Sequence, residues 1–90
     1  MSVFRVPYPE DPEDRHDLIQ RVVAALGHLA SYEGTIEEGS FHGTTPVGRI
    51  AGTYRAVEGS AELEIVLTKK PWIVSVHQVE HEVRKFLSRV

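Results

Sequence analysis

The chain contains no cysteine. This absence excludes a disulfide scaffold, a thiolate metal site and a cysteine nucleophile. No apolar run approaches the roughly 20 residues of a membrane-spanning helix. The first residues also lack the basic start and apolar core of a secretory signal. We therefore expect a soluble, cytoplasmic protein.

An excess of charge of one sign is also missing. The net charge is −3 in total, with −5 in residues 1–46 and +2 in residues 47–90. Neither part has the basic excess that marks a nucleic-acid-binding surface. The chain has 90 residues, of which 41% are hydrophobic and 26% are charged. These values are typical of globular proteins and predict one small domain spanning residues 1–90.

Two amphipathic helices are predicted from apolar residues that recur in steps of three and four. Asp11 is a suitable N-cap for the first helix, and Pro12 suits its first turn. We expect this helix to end near Ala30. Ser75 and Gln78 have the spacing of a capping box at the start of the second helix. The predicted buried stripes comprise Leu18, Ile19, Val22, Val23, Leu26 and Leu29, and then Val76, Val79, Val83, Phe86, Leu87 and Val90.

Most of the chain between these helices is predicted to form β structure. The predicted strands cover residues 3–6, 35–42, 49–57 and 61–68. In the last of them Leu63, Ile65 and Leu67 are predicted to face the core, and they alternate with Glu62, Glu64, Val66 and Thr68 on the other face. The predicted fold is α+β, with an antiparallel three- to four-stranded sheet and two helices packed on one face. The expected element order is β-α-β-β-β-α.

One motif in the second helix suggests metal chemistry. His77, Glu80 and His81 spell H-x-x-E-H, the string of the inverted zinc proteases. A zinc enzyme also needs a third protein ligand and a cleft, and the sequence predicts neither. Glu62 and Glu64 are expected on the solvent face of a strand, which is a poor environment for acid–base catalysis. We predict no catalytic residues, no metal site and no cofactor, and keep a small metal-dependent enzyme as an alternative.

Nucleic-acid binding is a second alternative. A helix, three strands and a helix follow one another in the same order as in the double-stranded-RNA-binding domain. That domain grips phosphates with lysines at the start of its second helix. Here only Lys69 and Lys70 precede the helix. Two lysines on an acidic protein disfavour this function.

The residues that best suggest binding are Gly48, Gly52, Tyr54 and Trp72. A glycine inside a strand often marks a position that another group approaches closely. Trp72 either closes one end of the core or anchors a partner. We predict that these four residues line a groove for an unknown protein partner or an apolar ligand. An exposed edge strand offers a second route, the formation of a homodimer.

Two segments resemble a known family. Residues 48–52 (GRIAG) and residues 79–87 (VEHEVRKFL) resemble the polyhydroxyalkanoic acid system proteins, which are bacterial proteins of about this size. The resemblance implies association with polyhydroxyalkanoate storage granules and implies no reaction. The function expected from the sequence is therefore that of a non-enzymatic binding or assembly module in a bacterial cytoplasm.

Overall fold

The computed structural model describes residues 2–90 as one antiparallel sheet with two α-helices. The strands lie in the order β1-β5-β4-β3-β2, and each pair of neighbours is antiparallel. The predicted α+β class is confirmed. The elements are β1 (Ser2–Pro7), α1 (Pro12–Leu26), a short 3-10 helix (Gly27–Leu29), β2 (Ala30–Gly34), β3 (Glu38–Thr45), β4 (Gly48–Ala56), β5 (Glu62–Lys69) and α2 (Val76–Arg89).

The sheet has five strands, one more than the largest predicted number. The additional strand is β2, a segment that was expected to contain the end of the first helix and a connection. Helix α1 ends earlier because Gly27 has a φ of +57°, a conformation that glycine adopts at little cost. The chain is extended from Ala30, where β2 begins to pair with β3. The observed order is therefore β-α-β-β-β-β-α.

Helix α1 connects the two edges of the sheet. Strand β1 forms one edge and β2 forms the other, with β5, β4 and β3 between them. The start of β1, the start of β2 and the start of β4 lie at the same end of the sheet, together with the last residues of β3 and β5. The connections between elements are therefore divided between two ends of the molecule.

The core lies between one sheet face and helix α2. Val79 of this helix packs against buried side chains from the sheet, and Val83 and Leu87 extend the contact. Ile65 and Leu67 are buried and Leu63 is half-buried, so the predicted inward face of this strand is confirmed. The buried hydrophobic cluster comprises Phe4, Val6, Tyr54, Ile65, Leu67 and Val79.

The predicted helix caps are confirmed. The Asp11 side chain accepts a hydrogen bond from the backbone N–H of Glu13, at 2.8 Å. At the start of α2, Ser75 and Gln78 form both bonds of a capping box, with distances of 3.1 and 3.2 Å. These bonds satisfy donors that a helix N-terminus otherwise leaves without partners. The second cap fixes where α2 begins after the β5–α2 connection.

Candidate docking surface

The four residues of the predicted groove lie in two different places. Tyr54 is 9% exposed, belongs to the core, and donates a hydrogen bond from its hydroxyl to the carbonyl oxygen of Thr35 at 2.7 Å. Gly52 is also buried on the core face, beside Phe41. Gly48 and Trp72 lie at one end of the sheet, outside the core cluster. The candidate site is therefore built around this second pair.

Trp72 projects into solvent from a tight turn. The backbone N–H of Val74 donates to the carbonyl oxygen of Pro71 at 3.1 Å, which places Trp72 and Ile73 at the two central positions. Val74 packs on the core and holds the end of the turn. Trp72 is 90% exposed and Ile73 is 54% exposed. The expectation that Trp72 closes one end of the core is wrong, and the alternative, an exposed anchor, matches its position.

A second turn presents an apolar residue beside the first. Pro46 and Val47 connect β3 to β4 between the paired residues Thr45 and Gly48, and Val47 is 53% exposed. A Cβ atom at Gly48 would lie 3.1 Å from Cγ of Pro71. The absence of a side chain at Gly48 therefore lets the two turns approach each other. Turn tips usually carry polar residues or glycine, so two adjacent apolar tips require an explanation.

We define the apolar end as residues 27–30, 44–49 and 69–76, the connections at this end of the sheet. Seven large hydrophobic side chains are exposed among residues 2–90, and four of them belong to this end. A small protein normally scatters its exposed apolar side chains singly, and their concentration indicates a surface that binds something. The four are Leu29, Val47, Trp72 and Ile73.

The charges of the apolar end are all of one sign. Its three segments contain Arg49, Lys69 and Lys70 and neither aspartate nor glutamate. Lys70 also donates from Nζ to the carbonyl oxygen of Val74 at 2.6 Å, which braces the Trp72 turn. The connections at the opposite end, residues 8–14, 35–38 and 57–62, carry eight Asp and Glu residues. The three segments that carry the exposed apolar side chains are thus cationic, although the whole chain is acidic.

A buried polar cluster was not foreseen from the sequence. It lies near the acidic end, the opposite end of the sheet formed by residues 8–14, 35–38 and 57–62. Arg15 is 8% exposed, lies over the ring of Tyr8 at 4.9 Å, and forms an ion pair with Glu37 at 3.0 Å. The Tyr8 hydroxyl donates to the carbonyl oxygen of Ile36 at 2.7 Å. Burial raises the pKa of Tyr8 to about 12, against a lowering effect of Arg15. These groups are committed to one another and to the β2–β3 turn, which gives the cluster a structural role.

The histidine motif of α2 lies on the protein surface. His77 and His81 are both exposed. Within residues 2–90 no group of three or more His, Asp and Glu side chains is placed to hold a metal ion. Glu80 forms an ion pair with Arg84 at 3.1 Å and is therefore occupied by a neighbour on the same helix. The motif has the arrangement of a charged helix face.

The sheet face turned away from the core carries a row of alternating charges. Arg5, Glu64, Arg55 and Glu38 are in register on β1, β5, β4 and β3. Glu64 lies 3.7 Å from Arg5 and 3.3 Å from Arg55. Such exposed pairs contribute little stability individually, but the row neutralises itself across the sheet. The open face thus lacks the single sign of charge found at the apolar end.

No family model matches the chain, and neither a curated protein nor a solved structure gives a significant match. No helix within residues 2–90 is long and apolar enough to cross a membrane.

Proposed function

We propose that the protein is a non-enzymatic binding module that docks by its apolar end onto an apolar surface coated with anionic lipid. The observation that carries this proposal is the concentration of four exposed apolar side chains and three cations, without a carboxylate, at one end of the sheet. Tryptophan suits such a boundary because its ring is apolar while its N–H can stay hydrated.

The two kinds of side chain contribute in different ways. A Lys or Arg close to an anionic lipid surface contributes about 1 kcal/mol. Complete burial of a large apolar side chain contributes about 1.5–3 kcal/mol. Shallow insertion of Trp72, Ile73 and Val47, together with the attraction of the three cations to anionic lipid, therefore supports reversible docking. Neither the apolar nor the electrostatic contribution is large enough to give tight binding alone. The eight carboxylates at the opposite end favour one orientation, with the acidic end directed away from the lipid.

The shape of the apolar end fits a surface better than it fits a small ligand. Trp72, Ile73 and Val47 occupy the tips of two turns and point away from the fold. A small-molecule site, in contrast, is concave and surrounds its ligand. A storage granule, the partner implied by the resemblance of residues 48–52 and 79–87, is an apolar polyester body of the required kind. We extend the proposal to such granules in a bacterial cytoplasm.

The proposal is tested by co-sedimentation with vesicles of phosphatidylglycerol and phosphatidylcholine. The wild-type protein is expected to sediment with anionic vesicles and to lose most of its binding on vesicles of phosphatidylcholine alone. Combined substitution of Trp72→Ser and Ile73→Ser is expected to reduce binding at least about tenfold. Raising the salt concentration is expected to weaken binding, because ions screen the three cations.

Val3→Ser is the matched control for Ile73→Ser. Val3 is 56% exposed and Ile73 is 54% exposed, but Val3 is paired with Val66 inside the sheet and does not belong to the three connecting segments of the apolar end. We expect Val3→Ser to bind as the wild type does. Equal losses of vesicle binding from Val3→Ser and Ile73→Ser would contradict the proposal. Vesicle binding that changes neither with the substitutions in the turns nor with the lipid charge would also contradict it. If the wild-type protein does not bind vesicles but does bind a purified protein partner, the apolar end is a protein-binding surface instead.

A further inference from the structure

The two edges of the sheet differ in their capacity to accept another strand. An edge strand exposes unpaired N–H and C=O groups, which invite pairing with a second chain unless the edge is blocked. Along β1, Pro7 has no N–H to offer. The carbonyl oxygen of Arg5 already accepts a hydrogen bond from Nη2 of Arg84, at 2.6 Å. The β1 edge is therefore protected by its own fold.

The β2 edge has no such protection. Thr35 donates to Glu38 across the β2–β3 turn, and residues in an antiparallel ladder alternate in the direction of their hydrogen bonds. Glu33 and Ser31 thus bond to β3, whereas the N–H and C=O groups of Gly34, Tyr32 and Ala30 point outward. The segment holds no proline, and no hydrogen bond outside its ladder reaches these three residues from any described part of the chain.

We propose that β2 pairs with β2 of a second copy, forming one continuous sheet of ten strands. The occupant is a second copy because the register of β2 is self-complementary. With Tyr32 opposite its own copy, Ala30 faces Gly34 of the second chain, and all the outward groups pair in about six hydrogen bonds. A shift that places Glu33 opposite its own copy would set two carboxylates against each other.

This register also selects the residues that meet across the two-fold axis. Ser31 faces Glu33 of the other copy, so no like charges oppose each other. Tyr32 is 38% exposed and is therefore accessible to a second copy. Pairing of β2 strands brings two Tyr32 rings together, and cross-strand aromatic pairs are favourable. Growth stops at two copies because the β1 edges at both ends of the extended sheet are blocked.

Of the apolar end, the dimer uses only the backbone of Ala30, the first residue of β2, and it leaves Val47, Trp72 and Ile73 free for docking. The two β2 strands run antiparallel, so the apolar ends of the two copies point in opposite directions. A failure of vesicle binding would not affect the dimer, and a monomer would not affect vesicle binding. The two proposals are therefore tested by separate measurements on the same protein.

Sedimentation equilibrium of the wild-type protein is expected to give a reversible dimer of about twice 10.1 kDa. Ser31→Glu and Ser31→Lys form a matched pair, because both remove the 2.8 Å contact between Ser31 Oγ and His42 Nε2. They differ in the charge placed opposite Glu33 of the other copy. We expect Ser31→Lys to dimerise at least about tenfold more tightly than Ser31→Glu.

Tyr32→Pro provides a second test of the backbone pairing. The N–H of Tyr32 points away from β3, so proline there removes a bond between copies and none within the chain. A folded, monomeric Tyr32→Pro variant supports the proposal. A wild-type protein that stays monomeric at all accessible concentrations would overturn it. Equal dimerisation of Ser31→Glu and Ser31→Lys would also overturn it, since the contact between copies would then lie elsewhere.

Discussion

Substitution of Gly52 by alanine is expected to lower the melting temperature by more than about 10 °C, which corresponds to a loss of about 2 kcal/mol or more of stability in a domain of this size. A Cβ atom at this position would overlap the carbonyl oxygen of Val66 on the neighbouring strand and approach Cζ of Phe41 to 3.0 Å. The first obstacle is backbone and cannot rotate away. The register between β4 and β5 also shifts between Ala51 and Gly52, so the strand is irregular there.

Gly43→Ala is the control for this substitution. Gly43 lies on β3 on the same sheet face, but its nearest neighbours, Ala30 Cβ and Leu29 O, would be 3.3 Å from the new atom. We expect a change within about 1 kcal/mol, because small shifts at the sheet edge relieve this contact. Thermal unfolding followed by circular dichroism compares the two variants. Equal melting temperatures for both would show that Gly52 does not need its close backbone contact.

Ile65→Ala is expected to destabilise the fold by about 2–5 kcal/mol. Ile65 is 8% exposed, lies in the middle of β5, and is paired with Phe4 on one side and Tyr54 on the other. Alanine leaves a cavity among side chains that helix α2 covers. A domain of this size has a total stability of only about 5–10 kcal/mol, so the loss is a large part of it.

Val66→Ala tests the orientation of the same strand. Val66 is the next residue, points to the open sheet face, and is only half-buried. Its truncation should cost less than that of Ile65, as measured by chemical unfolding. A larger loss for Val66→Ala, or an unchanged midpoint for Ile65→Ala, would mean that the two faces of the strand have been exchanged.

Local sequence patterns predicted much of the fold. The cap at Ser75 and the alternation of Leu63, Ile65 and Leu67 were readable because each depends on neighbouring residues and a fixed period. Strand β2 was not predicted, because its sequence ASYEG lacks a clear alternation. Its extended form depends on pairing with β3, which is a tertiary effect.

The docking surface was predicted only in part. The sequence singled out Trp72 and Gly48, and the structure places both at the apolar end. It did not single out Val47 or Ile73 as exposed, because an apolar residue beside a proline, or inside the apolar run of residues 71–74, is equally compatible with the core. The available signal was the position of both residues in connections between predicted elements, where burial is difficult.

Arg15 illustrates a second limit of sequence reasoning. An arginine in the first turn of a helix that is otherwise acidic is expected on the surface. Its burial depends on Tyr8 and Glu37, which come from two other segments of the chain. No local pattern contains this information, because only the closed fold brings the three residues together.

The fluorescence of Trp72 tests the proposed docking most directly, because this residue is the only tryptophan of the chain. In buffer the emission is expected to be that of a hydrated indole, quenched freely by acrylamide, since the side chain is 90% exposed. Addition of anionic vesicles containing brominated lipids should move the emission to shorter wavelength and quench it, with protection from acrylamide. Emission that stays unchanged on anionic vesicles, at concentrations where the protein is fully folded, would contradict docking through the apolar end.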